Sequence, residues 1–133
     1  MYCLNYNRDG KSGGKIQLEV DMNFTDLSDR ELMVMKCLWE SDSPMTVGEL
    51  IISIEEAYNI VYKETTVYTF LKRLKDKKYV TSYKKGTSRF SPCVGETEFL
   101  EDYAARMADF WSEDASKTFL AAYGRFMGQS ERD

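Results

Sequence analysis

Histidine does not occur in the 133 residues, and with it go the commonest general base, the commonest metal ligand and the usual triad member. Cysteine is scarce and scattered. Cys3, Cys37 and Cys93 are odd in number, far apart and without a C-x-x-C pair, so they suggest neither a zinc site nor a disulfide framework. Gly13-Gly14 and Gly124 stand outside any glycine-rich phosphate loop. No apolar run approaches the roughly 20 residues that span a bilayer, and the start lacks the apolar stretch of a signal peptide. The expectation from these absences is a cytoplasmic protein that is not an enzyme and takes no metal or cofactor.

The chain is acidic overall, with a net charge of −4, yet it turns basic between Lys63 and Arg89. That segment, KETTVYTFLKRLKDKKYVTSYKKGTSR, holds nine cations against the two acids Glu64 and Asp76, a local charge of +7 that leaves −11 for the remainder. A split this sharp inside a small domain marks a phosphate-facing surface. At 43% hydrophobic and 14% aromatic residues, the chain is able to bury a core, and one main domain with an appendage is expected.

Helix signals begin at Leu27. Ser28 with Glu31 forms a capping box, and Leu32, Met35, Leu38 and Trp39 recur at helical spacing to about Ser41. A second capping box, Thr46 with Glu49, opens a helix whose stripe is Val47, Leu50, Ile51, Ile54 and Tyr58. A third helix is expected over about 63–77. In it Val67, Phe70, Leu71 and Leu74 fall at i, i+3, i+4 and i+7 and face the core. Helical phase then turns Thr65, Tyr68, Thr69, Lys72 and Asp76 outward, with Thr66 and Arg73 flanking. Hydroxyls, an aromatic ring and cations are what base edges and phosphates call for, although a lysine-rich face is also what an ordinary solvated helix shows.

Two strand-like runs follow, 79–84 and 87–93, joined at Lys84-Lys85-Gly86-Thr87, where glycine permits a tight turn. Three helices and a two-strand ribbon make the winged helix-turn-helix plan, in which the third helix enters a major groove and the ribbon tip lies on flanking backbone. The fold class is therefore mainly α with a small β-hairpin, followed by a C-terminal helical segment. Expected boundaries are 1–24 for an N-terminal extension, whose native start we place at Met22, 25–94 for the winged domain and 95–133 for the appendage. In the appendage Phe99, Tyr103, Met107, Phe110 and Trp111 recur every three or four residues, and Phe119, Leu120, Tyr123, Phe126 and Met127 do so again. Two stripes this aromatic on a segment too short to bury itself read as a dimer interface, against the alternative of packing on the chain's own winged domain.

The patterns E-x-x-V-M-x-x-x-W at 31–39 and T-V-Y-T-x-L-x-R-L at 66–74, with TVGEL, KDKKYV and KKGTSRFSP, resemble the penicillinase-repressor family of bacterial transcriptional regulators (the BlaI/MecI type) over Leu27 to about Phe126. The resemblance implies a homodimeric repressor on a pseudo-palindromic operator. It carries DNA contact to Thr66, Tyr68, Thr69 and Arg73 on the helix and to Lys84, Lys85 and Arg89 on the wing; Thr65 and Lys72 join them by helical phase. It also implies control of a β-lactam resistance or other stress-response gene and relief by a regulatory sensor protease. Three positions depart from the family: Lys78 stands where many members have glycine, Tyr62 where tryptophan is usual, and Arg106-Met107 where the best-known members are cut at Asn-Phe. Copper-responsive relatives carry a C-terminal cysteine cluster, and nothing of that sort follows Cys93.

Two other readings stay open at this level. One is a winged module that binds protein or RNA. The other is a thiol or metal sensor acting through Cys37 or Cys93, for which the competing expectation is two buried core thiols.

Overall fold

The computed structural model describes residues 25–132, with side chains to 128; the expected N-terminal extension lies outside them. Among the described residues the order is α1 (Asp29–Glu40), α2 (Val47–Tyr58), α3 (Glu64–Asp76), β1 (Val80–Lys85), β2 (Thr87–Pro92), α4 (Glu96–Phe110) and α5 (Glu113–Arg132). The chain parts into two compact units between Phe99 and Leu100.

Both expected capping boxes form. Ser28 accepts from the Glu31 N–H while Glu31 accepts from the Ser28 N–H, and Thr46 and Glu49 do the same for α2. Each box satisfies two backbone donors that a helix start otherwise leaves bare. α1, α2 and α3 pack on one another around Val34, Met35, Leu38, Leu50, Ile54, Val67, Leu71 and Leu74, each almost fully buried. The core face expected for α3 is the one observed, with Phe70 as its fourth buried member. On α1 the stripe is shifted: Val34 and Cys37 are buried, whereas Leu32 and Trp39 are half-buried against the cluster.

The helix α3 ends where Lys77 caps it and Lys78 takes the left-handed conformation at φ 71°. The Tyr79 N–H then donates to the Leu74 carbonyl and the Lys78 N–H to the Lys75 carbonyl, the double bond of a Schellman end. Buried Tyr79 and Leu74 supply the apolar contact that goes with it. A residue with a Cβ is held here where glycine is the unstrained choice.

β1 and β2 pair antiparallel, Val80 opposite Pro92 through Lys85 opposite Thr87, leaving Gly86 at the tip with φ 79°. At the root, Met45 and Phe90 exchange both backbone hydrogen bonds, at 2.9 and 2.8 Å, which anchors the hairpin to the α1–α2 connection. This is a winged helix-turn-helix.

Phe99 corrects the expected division at 94/95. Instead of joining the interface stripe it is buried in the winged unit, its ring 5.4 Å from Trp39 and 6.2 Å from Tyr79. The Trp39 indole N–H also donates to the Val94 carbonyl at 2.8 Å, so the first turn of α4 belongs to the first core. In the second unit Arg106 pairs with Asp102 along α4 at 3.3 Å, and the Ser112 hydroxyl accepts from the Ala115 N–H at the start of α5. There Tyr103 and Met107 are half-buried, whereas Phe110, Trp111, Phe119, Leu120, Tyr123, Phe126 and Met127 are exposed.

Candidate nucleic-acid interface

The outward side of α3 carries Thr65, Tyr68, Thr69, Lys72, Arg73 and Asp76, all exposed, with Thr66 half-buried at its edge. Each end of that face is held by a different neighbour. Arg73 lies on the α1 side, where its charge helps depress the Glu31 carboxyl. Tyr68 lies on the wing side, its ring edge-on to Phe90 at 6.4 Å. Lys75, two turns further along that side, donates to the Ser82 hydroxyl at 2.9 Å and so ties α3 to β1.

Several polar groups on the face already have partners. The Thr69 hydroxyl donates to the Thr65 carbonyl at 3.0 Å, which leaves its oxygen free to accept but directs its proton inward. The Lys72 ammonium lies 3.6 Å from the Asp76 carboxylate. Between the helix and the hairpin runs an open cleft of about 420 Å³, walled by Tyr68, Leu71 and Lys72 on one side and Ser82, Ser88 and Phe90 on the other.

The wing's cations do not share one face. In a two-strand ribbon side chains alternate, so the register puts Val80, Ser82 and Lys84 with Pro92, Phe90 and Ser88 on the side that carries the buried residues. Tyr83 and Lys85 fall on the opposite side with Arg89, which is directly across from Tyr83. Lys84 therefore shares the side turned toward α3, whereas Lys85 and half-buried Arg89 point the other way. Period-two alternation in the sequence carries this division once the turn is placed at Gly86.

Two supports of α3 carry no local sequence signal. The start of the helix is flanked by Tyr62, whose hydroxyl accepts from Arg30 at 2.8 Å and whose ring meets Phe70 edge-on at 5.3 Å. At the other end the Lys77 ammonium donates to Glu31 Oε1 at 2.7 Å and to the Asp26 carbonyl at 2.6 Å. Glu31 is almost fully buried. Burial alone pushes its carboxyl up, but the hydrogen bonds from Lys77 and the Ser28 N–H, with the charges of Lys77 and Arg73, hold it below the usual range. It is therefore a buried carboxylate with its charge answered.

The thiols divide. Cys37 is buried, and burial, then Glu40, pushes its thiol up, which disfavours the reactive thiolate. Cys93 is half-buried just beyond β2 and is not a free core thiol, so the expectation of two buried thiols fails there. No helix among the described residues is long and apolar enough to cross a membrane.

A family model described as penicillinase repressor matches residues 27–131. Among solved structures the chain is similar to MepR of Staphylococcus aureus, a transcription regulator of the multidrug efflux pump MepA. That match has 13% identity and a TM-score of 0.45, and covers 95% of this chain and 98% of that one. A MarR family protein from Bacillus stearothermophilus is similar at 16% identity and a TM-score of 0.46, covering 98% of this chain and 100% of that one. No curated protein sequence matches the chain significantly.

Proposed function

The chain belongs to the penicillinase repressor family of DNA-binding transcriptional repressors, and we propose that it works as a homodimer on a pseudo-palindromic operator, α3 in the major groove and the wing on the adjoining backbone. The family consists of transcription regulators, not enzymes. Base-edge contacts fall to Tyr68, Thr69, Lys72 and Arg73, with Thr65 and Thr66 at the helix start; Lys84, Lys85 and Arg89 take phosphates.

One observation carries the reading: the exposed face of α3, with Lys72 and Lys75, and the body of the hairpin below its basic tip flank one open cleft. A groove wall and its phosphates meet both across such a cleft, and cations concentrated there release condensed counterions. The same observation favours duplex DNA over a protein partner, since the Tyr68, Leu71 and Phe90 surface is interrupted by Lys72, Lys75 and Asp76.

The second unit supports dimerisation. Phe110, Trp111, Phe119, Leu120, Tyr123 and Phe126 are each at least 43% exposed, and apolar surface of this extent in a monomer marks an interaction site. Two-fold pairing then asks for half-sites about 34–36 Å apart, or a multiple of that spacing. Relief by a protease belongs to the same proposal. Both Arg106-Met107 and the neighbouring Asp109-Phe110 lie within helix α4, so cutting at either needs local unwinding first.

Binding to a duplex selected from random sequence tests the proposal through its salt dependence. Several phosphate contacts give a log-log slope of about −0.9 for each contact. A flat salt dependence, or a preference for single-stranded RNA, contradicts it.

A further inference from the structure

Asp76 is poorly placed for helix stability. It is the last residue of α3, at the negative end of the helix dipole, where an acid is unfavourable. Its pairing with Lys72 runs in the weaker order, cation before acid at i, i+4. The pair is wet, with side chains 77% and 69% exposed, so it contributes little to folding. Asp76 is also the one acid on the outward face, since helical phase turns Glu64, the other acid of α3, to its flank about 120° from Asp76. On a surface that meets phosphates, an unexplained carboxylate is costly.

A base pair explains it. Across the major groove, guanine offers the adjacent acceptors O6 and N7, and cytosine offers the N4 amino donor beside O6. O6 and N4 are hydrogen-bonded to each other, so they stand about 2.9 Å apart. A cation and a carboxylate side by side on one helix face, 3.6 Å apart, are complementary to that edge. An A·T pair is a poorer match, because its donor lies between two separated acceptors and leaves an ammonium no adjoining pair to share.

We propose that Lys72 and Asp76 together read one G·C base pair in each half-site, Lys72 donating to the guanine and Asp76 accepting from the cytosine amino group. Asp76 is then a specificity-determining residue. Its cost in phosphate attraction is the means by which wrong sequences are refused, because on them the amino donor is displaced from the carboxylate and the ammonium loses its paired acceptors. The inference rests on the operator reading above and adds which base pair one side-chain pair recognises.

The test is selection of duplexes from random sequence by the full-length protein, followed by affinities for every single-base-pair change in the chosen site. Asp76→Ala and Lys72→Ala are measured alongside the wild type; both positions are exposed and alanine favours helix, and thermal melts confirm folding. Replacing the assigned G·C pair by A·T weakens the wild type at least about ten-fold. In both variants the penalty at that same position falls below about three-fold, while preferences elsewhere are kept. If the variants relax different positions, or none, the inference is overturned. It is equally overturned if Asp76→Ala tightens every duplex alike, which is repulsion alone. A wild type that selects no sequence at all removes the operator reading and this inference with it.

Discussion

Lys77, at the end of α3, and Glu31, in the first turn of α1, meet at 2.7 Å across 46 positions of sequence. The same carboxylate closes the capping box of α1, so one buried charge fixes the start of one helix to the end of another. That fastening sets where the outward face of α3 stands relative to the core.

Glu31→Gln therefore lowers stability at neutral pH, by about 1–2 kcal/mol for a charge-assisted hydrogen bond whose cation keeps some contact with water. The dependence on pH has a definite sign. A carboxyl held low in the folded state contributes fully above its unfolded value of about 4.3 and loses that contribution as pH falls through the folded value. Urea melts at pH 7, 5, 4 and 3 should show wild type and variant converging only below about pH 4. Convergence at higher pH counts against the pairing.

Lys78→Gly stabilises the protein. The left-handed φ of 71° costs a side chain about 1–2 kcal/mol, and glycine returns part of that through its freer unfolded chain. The net gain is about 0.5–1 kcal/mol, read as a higher urea midpoint at unchanged slope. Lys78→Ala, which keeps a Cβ, should give no such gain. Glycine leaving the midpoint unchanged or lower would show that the Lys78 side chain contributes something the strain argument omits.

Much of this architecture is legible in the sequence because it is local. Capping boxes, the Val67–Phe70–Leu71–Leu74 stripe and the Gly86 turn are short-range patterns, and the structure forms each. What stayed hidden depends on distant partners. A stripe at helical spacing says that Phe99 is buried but not by what, and the answer, Trp39 and Tyr79, lies 60 and 20 residues back. The Glu31–Lys77 pair and the Met45–Phe90 bridge are long-range in the same way. Of the candidate interface, helical phase tells which side chains of α3 point outward. The opposite facing of Lys84 and Arg89 needs the register as well.

Leu120 and Phe126, each 65% exposed, supply the test of pairing. Leu120→Glu or Phe126→Glu places a charge in the proposed interface, where an unpaired buried charge is not tolerated. Sedimentation equilibrium at micromolar concentration should give a dimer for the wild type and a monomer for either variant, with helical circular dichroism largely kept. A wild-type monomer sinks the dimer model.

Lys84 and Lys85 sit on opposite sides of the ribbon, so Lys84 alone probes the side turned toward α3. Lys84→Ala weakens binding to all duplexes by a similar factor and reduces the salt slope by about 0.9, as one lost phosphate contact should. Titrations at four salt concentrations measure it. An unchanged slope means that the α3-facing side of the wing does not meet the backbone.

The central claim is that the outward face of α3 reads DNA sequence, and Arg73 tests it most directly. The measurement is the ratio of affinities for a selected palindromic duplex and a scrambled one, for wild type and Arg73→Ala at one fixed salt concentration. If Arg73 bonds a guanine, the ratio falls by about 1–3 kcal/mol while binding to the scrambled duplex changes much less. A ratio unchanged by the substitution contradicts the account.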